Sequence, residues 1–226
     1  MTGPSQTDPR RPATAAVAVR VEDDPPPVVR ALANDLRACL RDLAFAEATA
    51  RARGTVLVSD AQTPQSATIR IDEHGVLLSH GSAAADLRAS VDLRGGGSPA
   101  LEGEGEHPAL ADWLRDLLTA PLPAWPDAAE RFWSVLATMA GAPEALVVVE
   151  SESGEERRYG TPDGRAYELH GRAEGLAKVL CGRVPLVDAA FAGKVFVRGS
   201  FPQLSVLSGA GFRIRYGDGD EGGAGA

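Results

Sequence analysis

The chain has 226 residues, 44% of them apolar, with a formal net charge of -8 and a pI near 5.1. That is enough for one large or two small globular domains with buried cores. The acidic balance argues against nucleic acid or an anionic membrane as the main partner, because phosphate binding needs a concentrated positive field.

Residues 1–27 mix Pro, Asp, Thr and Ala without hydrophobic periodicity and read as a disordered N-terminal segment. They contain no apolar core of signal-peptide length, and no later stretch is apolar for long enough to span a bilayer, so a cytoplasmic location is expected. After "DDPPP", apolar residues Leu32, Leu36, Cys39, Leu40 and Leu43 recur at steps of three and four, which predicts one helix over 28–53 stopped by Gly54. "TVLVSD", "SATIRI", "VLLSH" and "LRASVDL" follow as short β-rich runs and predict an antiparallel meander. "EHPALADWLRDLL" places Leu110, Trp113, Leu114, Leu117 and Leu118 on one helical face, and the prolines of "APLPAWP" end that helix.

A second long helix is expected over 127–140, with Phe132, Trp133, Leu136 and Met139 inward. "ALVVVES", "EERRYG" and "RAYELHG" are strands. "RAEGLAKVLCG" and "VPLVDAAFAG" are two short helices closed by Gly182 and Gly193. "KVFVRG" reads as a strand, "FPQLSVLSG" as a short helix and "FRIRY" as a last strand, before the acidic, Gly-rich 217–226, expected to be a disordered tail.

The order suggests one unit written twice. "VLVSD" at 56–60 matches "VVVES" at 147–151, "VDLRG" at 91–95 matches "YELHG" at 167–171, and the Gly105, Pro108, Leu110, Trp113 spacing matches Gly199, Pro202, Leu204, Leu207. The offsets are 91, 76 and 94, so the second copy carries about 18 extra residues where its helix pair falls. The fold class expected is α+β: a degenerate unit over 28–122 without a helix pair and a complete unit over 123–216. Each is a small antiparallel sheet covered by helices, and the two pack as a pseudo-dimer; the alternative is one continuous α+β sheet.

The second unit, from Asp127 to Gly209, resembles the sterol carrier protein type 2 domain family. The likeness rests on "RAYELHGRAEGLAKVLCGRVPLVDAAFAGKVFVRGSFPQLSVL": a strand ending in Gly171, a helix pair, a strand ending Val-x-Gly and a helix after Pro202. In that family the helices and sheet enclose an apolar tunnel for lipids, acyl chains or sterols. The resemblance therefore implies a ligand cavity lined by Leu176, Val179, Leu180, Leu186, Phe191, Val195, Val197, Leu204 and Leu207, with Arg165, Arg172 or Arg183 available to a polar head group. The same apolar residues would equally build a filled core.

No catalytic constellation stands out. Glu102, Glu104 and Glu106 would share one face of a strand beside His107, either as an acid or metal cluster or as a solvated edge. His74, His80, His107 and His170 lack metal-ligand spacing, so no metal or other cofactor is expected. Cys39 and Cys181 read as buried thiols outside any disulfide framework, although a pairing stays open. Trp113, Trp125 and Trp133 cluster in sequence at the junction of the units and are expected to form the seam between them, the alternative being a stacking platform. The leading functional expectation is a carrier or accessory protein for a hydrophobic small molecule or acyl chain, with a protein partner or homodimer possible. The alternatives are an enzyme subunit using the same apolar pocket, and a structural or protein-interaction module with a filled core.

Overall fold

The computed structural model describes residues 17–81, 84–93 and 99–217. The elements run β1 (Val19–Val21), α1 (Pro27–Cys39), α2 (Leu43–Arg51), β2 (Gly54–Asp60), β3 (Ser66–Asp72), β4 (Gly75–His80), β5 (Leu87–Val91), β6 (Ala100–Glu102) and α3 (Pro108–Leu118). They continue with α4 (Trp125–Leu136), β7 (Ala145–Glu150), β8 (Glu156–Gly160), β9 (Ala166–Gly171), α5 (Ala173–Leu180), α6 (Leu186–Phe191), β10 (Val195–Arg198) and α7 (Phe201–Tyr216). The fold is α+β, with one six-stranded sheet ordered β1-β4-β3-β2-β5-β6 and one four-stranded sheet ordered β10-β9-β7-β8.

Both sheets are mixed, which corrects the antiparallel meander. β2, β3 and β4 do form antiparallel hairpins, but β5 returns to the other side of β2 and pairs with it in parallel. β7 and β9 are likewise parallel neighbours. Alternation decides which side faces the helices: Val56, Val58, Leu87, Ala89 and Val91 enter the first core, while Arg88 and Ser90 between them are exposed.

The two ladders run in step. Thr55 to Ser59 of β2 pair with Arg70 to Ser66 of β3, and ninety residues later Ala145 to Val149 of β7 pair with Gly160 to Glu156 of β8. Both hairpins close by the same bond, from Asp60 N to Gln65 O at 2.9 Å and from Glu150 N to Glu155 O at 2.8 Å. Both loops also place a hydroxyl on the carboxylate three residues earlier, Thr63 on Asp60 at 2.6 Å and Ser153 on Glu150 at 2.7 Å. The two hairpins are thus 90 residues apart in register, one fewer than the 91 that separates "VLVSD" from "VVVES". At an offset of 91, Val56 would match Val147, which lies outside the second apolar cluster, and not Leu146, which lies in it.

Other boundaries differ from expectation for local reasons. The helix expected over 28–53 breaks at 40–42, where the Asp42 carboxylate caps a new helix by accepting the Phe45 N–H at 3.0 Å. Val19–Val21, assigned to a disordered segment, pairs in parallel with Val76–Leu78; residues 1–16 and 218–226 of the expected disordered ends lie outside the described residues. "FRIRY" is not a strand. Residues Phe212 to Tyr216 complete a 16-residue helix whose inward positions are Leu207, Ala210 and Ile214, with Arg215 also buried. A three-to-four spacing continues through "FRIRY", and that outweighs its β-branched look.

Two apolar clusters divide the chain. One gathers Val28 to Ala120 around α1, α3 and the first sheet, and the other gathers Trp125 to Ile214 around α4, α5, α7 and the second. No helix among the described residues is long and apolar enough to cross a membrane.

Candidate functional site

The halves meet through α1 and α7, and the contact is ionic. Arg215, only 7% exposed, donates from Nη1 and Nη2 to the two carboxylate oxygens of Asp35 at 2.6 and 2.9 Å. Arg183, from the turn between α5 and α6, lies 3.7 Å from the same carboxylate and donates to Ala120 O at 2.6 Å. Asn34 Nδ2 closes the group on Arg215 O at 3.0 Å. This seam replaces the expected tryptophan junction, because the three indoles go to different places. Trp113 stacks on Phe45 in the first core and donates to Thr49 Oγ1 at 2.9 Å, Trp125 lies in the second core, and Trp133 flanks a surface groove. Spacing in sequence could not separate them, since α3 and α4 belong to different layers.

The expected cavity residues are mostly interior. Leu176, Val179, Leu180, Leu186, Val195 and Leu207 are each no more than 4% exposed and pack with Phe132, Tyr167 and Leu169 in one cluster. Val197 and Leu204 are half-buried against its rim. Phe191 does not belong with them: at 89% exposed it projects from the end of α6, because Ala189 takes the inward place on that short helix. Close packing continues into the backbone. A Cβ on Gly199 would lie 2.1 Å from the Tyr167 ring, and one on Gly182, where φ is +76°, would lie 2.5 Å from Gly211 O.

Two open grooves lie elsewhere. One, of about 560 Å³, runs between Trp133, Met139, Pro143 and Gly160. The other, of about 520 Å³, is walled by Arg165, Glu168, Arg198, Ser200 and Gln203 on the outer side of β9 and β10. Of the three arginines considered for a head group, Arg165 borders this second groove, Arg172 pairs with Glu152 at 3.2 Å on the surface, and Arg183 is engaged in the seam. Glu168 in the groove is flanked by His170 at 3.1 Å and Arg198 at 3.6 Å.

The remaining chemical candidates are dispersed. β6 ends at Glu102 and the chain turns at Gly103, where φ is +89°, so Glu104 and Glu106 do not continue its face; Glu104 instead binds Arg115. No group of three or more His, Cys, Asp or Glu able to hold a metal occurs among the described residues. The thiols are free and unactivated: burial, aided by Asp35, pushes Cys39 up to about 11, and burial also raises Cys181. Sequence reasoning passed over Glu150. Its carboxylate takes the Ser153 hydroxyl and the Ser153 and Glu152 N–H groups, and these bonds hold it down at about 2.

Compared with known proteins, the chain matches no family model, no curated protein and no solved structure.

Proposed function

We propose that this chain is a non-catalytic docking module built from two sterol-carrier-like units, the first lacking the helix pair of the second, and that it acts through its surface. The duplication is supported by the shared hairpin. β2 and β3 correspond to β7 and β8 at an offset of 90, their parallel partners β5 and β9 correspond at 80, and β6 and β10 at 96. The difference of sixteen falls where α5 and α6 are inserted. One observation carries the surface reading: six of the nine residues expected to line a tunnel are packed on one another and on the sheet. Filled interiors leave function to edges and loops.

The test is a comparison of native and denatured mass for protein purified from its own host, followed by a panel of fatty acids and sterols. Equal masses and no uptake are expected. Leu180→Trp should destabilise the fold by about 1–3 kcal/mol, the usual effect of overpacking, in a urea titration. A solvent-extractable extra mass that Leu180→Trp abolishes without unfolding the protein would overturn this reading in favour of a carrier. A carrier remains the second reading. It is favoured by the insertion of two short helices, joined through Gly182 and Pro185, over one sheet face of the second unit alone, with Val197 and Leu204 half-exposed at its rim.

A further inference from the structure

The whole-chain charge conceals a strong polarity. Residues 165–217 hold eight Lys and Arg, both lysines among them, against three Asp and Glu, whereas the rest of the chain holds fifteen against twenty-eight. Within that basic stretch, 191–201 reads "FAGKVFVRGSF" and contains no acid. Its three phenylalanines are among the most exposed large apolar side chains of the molecule: Phe191 at 89%, Phe196 at 68% and Phe201 at 84%. The strand β10 at its centre is the edge of the second sheet, and it turns Val195 into the core and Phe196 outward. Phe196 and Phe201 are five residues apart and so within about 17 Å, and Arg198 between them borders the groove that Arg165 and Glu168 also line, with Glu168 3.6 Å from Arg198.

We propose that this rim docks the protein on an anionic lipid bilayer, with Phe191, Phe196 and Phe201 entering the boundary between head groups and acyl chains while Lys194, Arg198 and Arg165 meet lipid phosphates. The proposal rests on the docking reading and names its partner. Charge opposes a second copy, because pairing two β10 edges antiparallel about Phe196 would set Lys194 of each against Arg198 of the other. Shape disfavours a folded protein: three rings exposed at 68% to 89% suit a deformable apolar medium better than a surface that must supply three pockets. Aromatic tips with adjacent cations are the pattern of interfacial anchoring.

The test is co-sedimentation of the full chain with vesicles of phosphatidylcholine containing 30% phosphatidylglycerol, against vesicles of phosphatidylcholine alone, at about 50 and about 300 mM salt. Binding to the anionic vesicles only, weakened by salt, is expected. Lys194→Glu with Arg198→Glu should cut partitioning by at least about fivefold per cation. Phe191→Ser, Phe196→Ser and Phe201→Ser together should lower it by about tenfold or more. Since all three rings are exposed, the variant should keep the melting temperature of the parent, and circular dichroism checks this. No binding, binding that ignores both variants, or a dimer in light scattering that depends on Phe196 would overturn the proposal. If vesicles fail while the native mass stays unliganded, the lipid assignment alone falls. An extractable ligand would remove the docking reading while leaving the vesicle result to be judged separately.

Discussion

Glu150 is the residue where local geometry converts most directly into a measurable property. Three donors from the following turn favour its charged form, so its folded pKa, about 2, lies below the ordinary 4.5. A depressed carboxylate stabilises the fold above its unfolded value and loses that contribution as pH falls through the folded one. Wild type should therefore exceed Glu150→Gln in stability above pH 4.5, with the gap closing toward pH 2, as read by urea midpoints along an acid series. A second residue tests packing. Gly199 lies where any Cβ would meet the Tyr167 ring at 2.1 Å, and Tyr167 is 1% exposed with no room to retreat. Gly199→Ala should cost about 1–3 kcal/mol in the same assay, whereas Gly193→Ala, with open space around its Cβ, should be limited to the strain of its φ of +64°.

At the level of elements, the ion group joining α1 to α7 is the feature the sequence concealed best. Asp35 and Arg215 are 180 residues apart, and Arg215 sits in "FRIRY", whose alternation looked like a strand. Period-two and period-three-to-four readings share too many positions over five residues to be told apart, and only the continuity with Leu207 and Ala210 decides. Most other elements were legible, because their apolar spacing and their Gly and Pro boundaries agree: α3, α5, α6 and the strands β2 to β5 fall where those signals put them. Strand partners were not legible, since a parallel return such as β5 beside β2 leaves no local mark. Within the proposed repeat, the one-residue difference between the sequence match and the hairpin register arises because "VLVSD" and "VVVES" look alike in either phase. The seam makes a definite prediction. Asp35→Ala leaves Arg215 buried without its carboxylate and should weaken the coupling of α1 to α7 by about 3–5 kcal/mol, while Asp35→Leu with Arg215→Met should recover much of that, as read from the first transition in chemical unfolding.

For the whole molecule, the consequence is a question of cooperativity. Each half has its own apolar cluster, and among the described residues the chain passes between them once, through the short segment 119–124 between α3 and α4. So short a tether holds the halves at an effective concentration on the order of millimolar, so even a modest interface suffices to couple them. That interface is supplied largely by α1 against α7, with Arg183 reaching across to Ala120 O from the turn after α5. Removing the charge that organises it should uncouple the halves before it unfolds either. In scanning calorimetry the parent chain should show one transition, with calorimetric and van't Hoff enthalpies equal. Asp35→Ala should resolve into two, the calorimetric enthalpy then exceeding the van't Hoff value of each step. A single lowered transition in the variant would mean that the two clusters fold as one core and that the ionic group is local stabilisation within it.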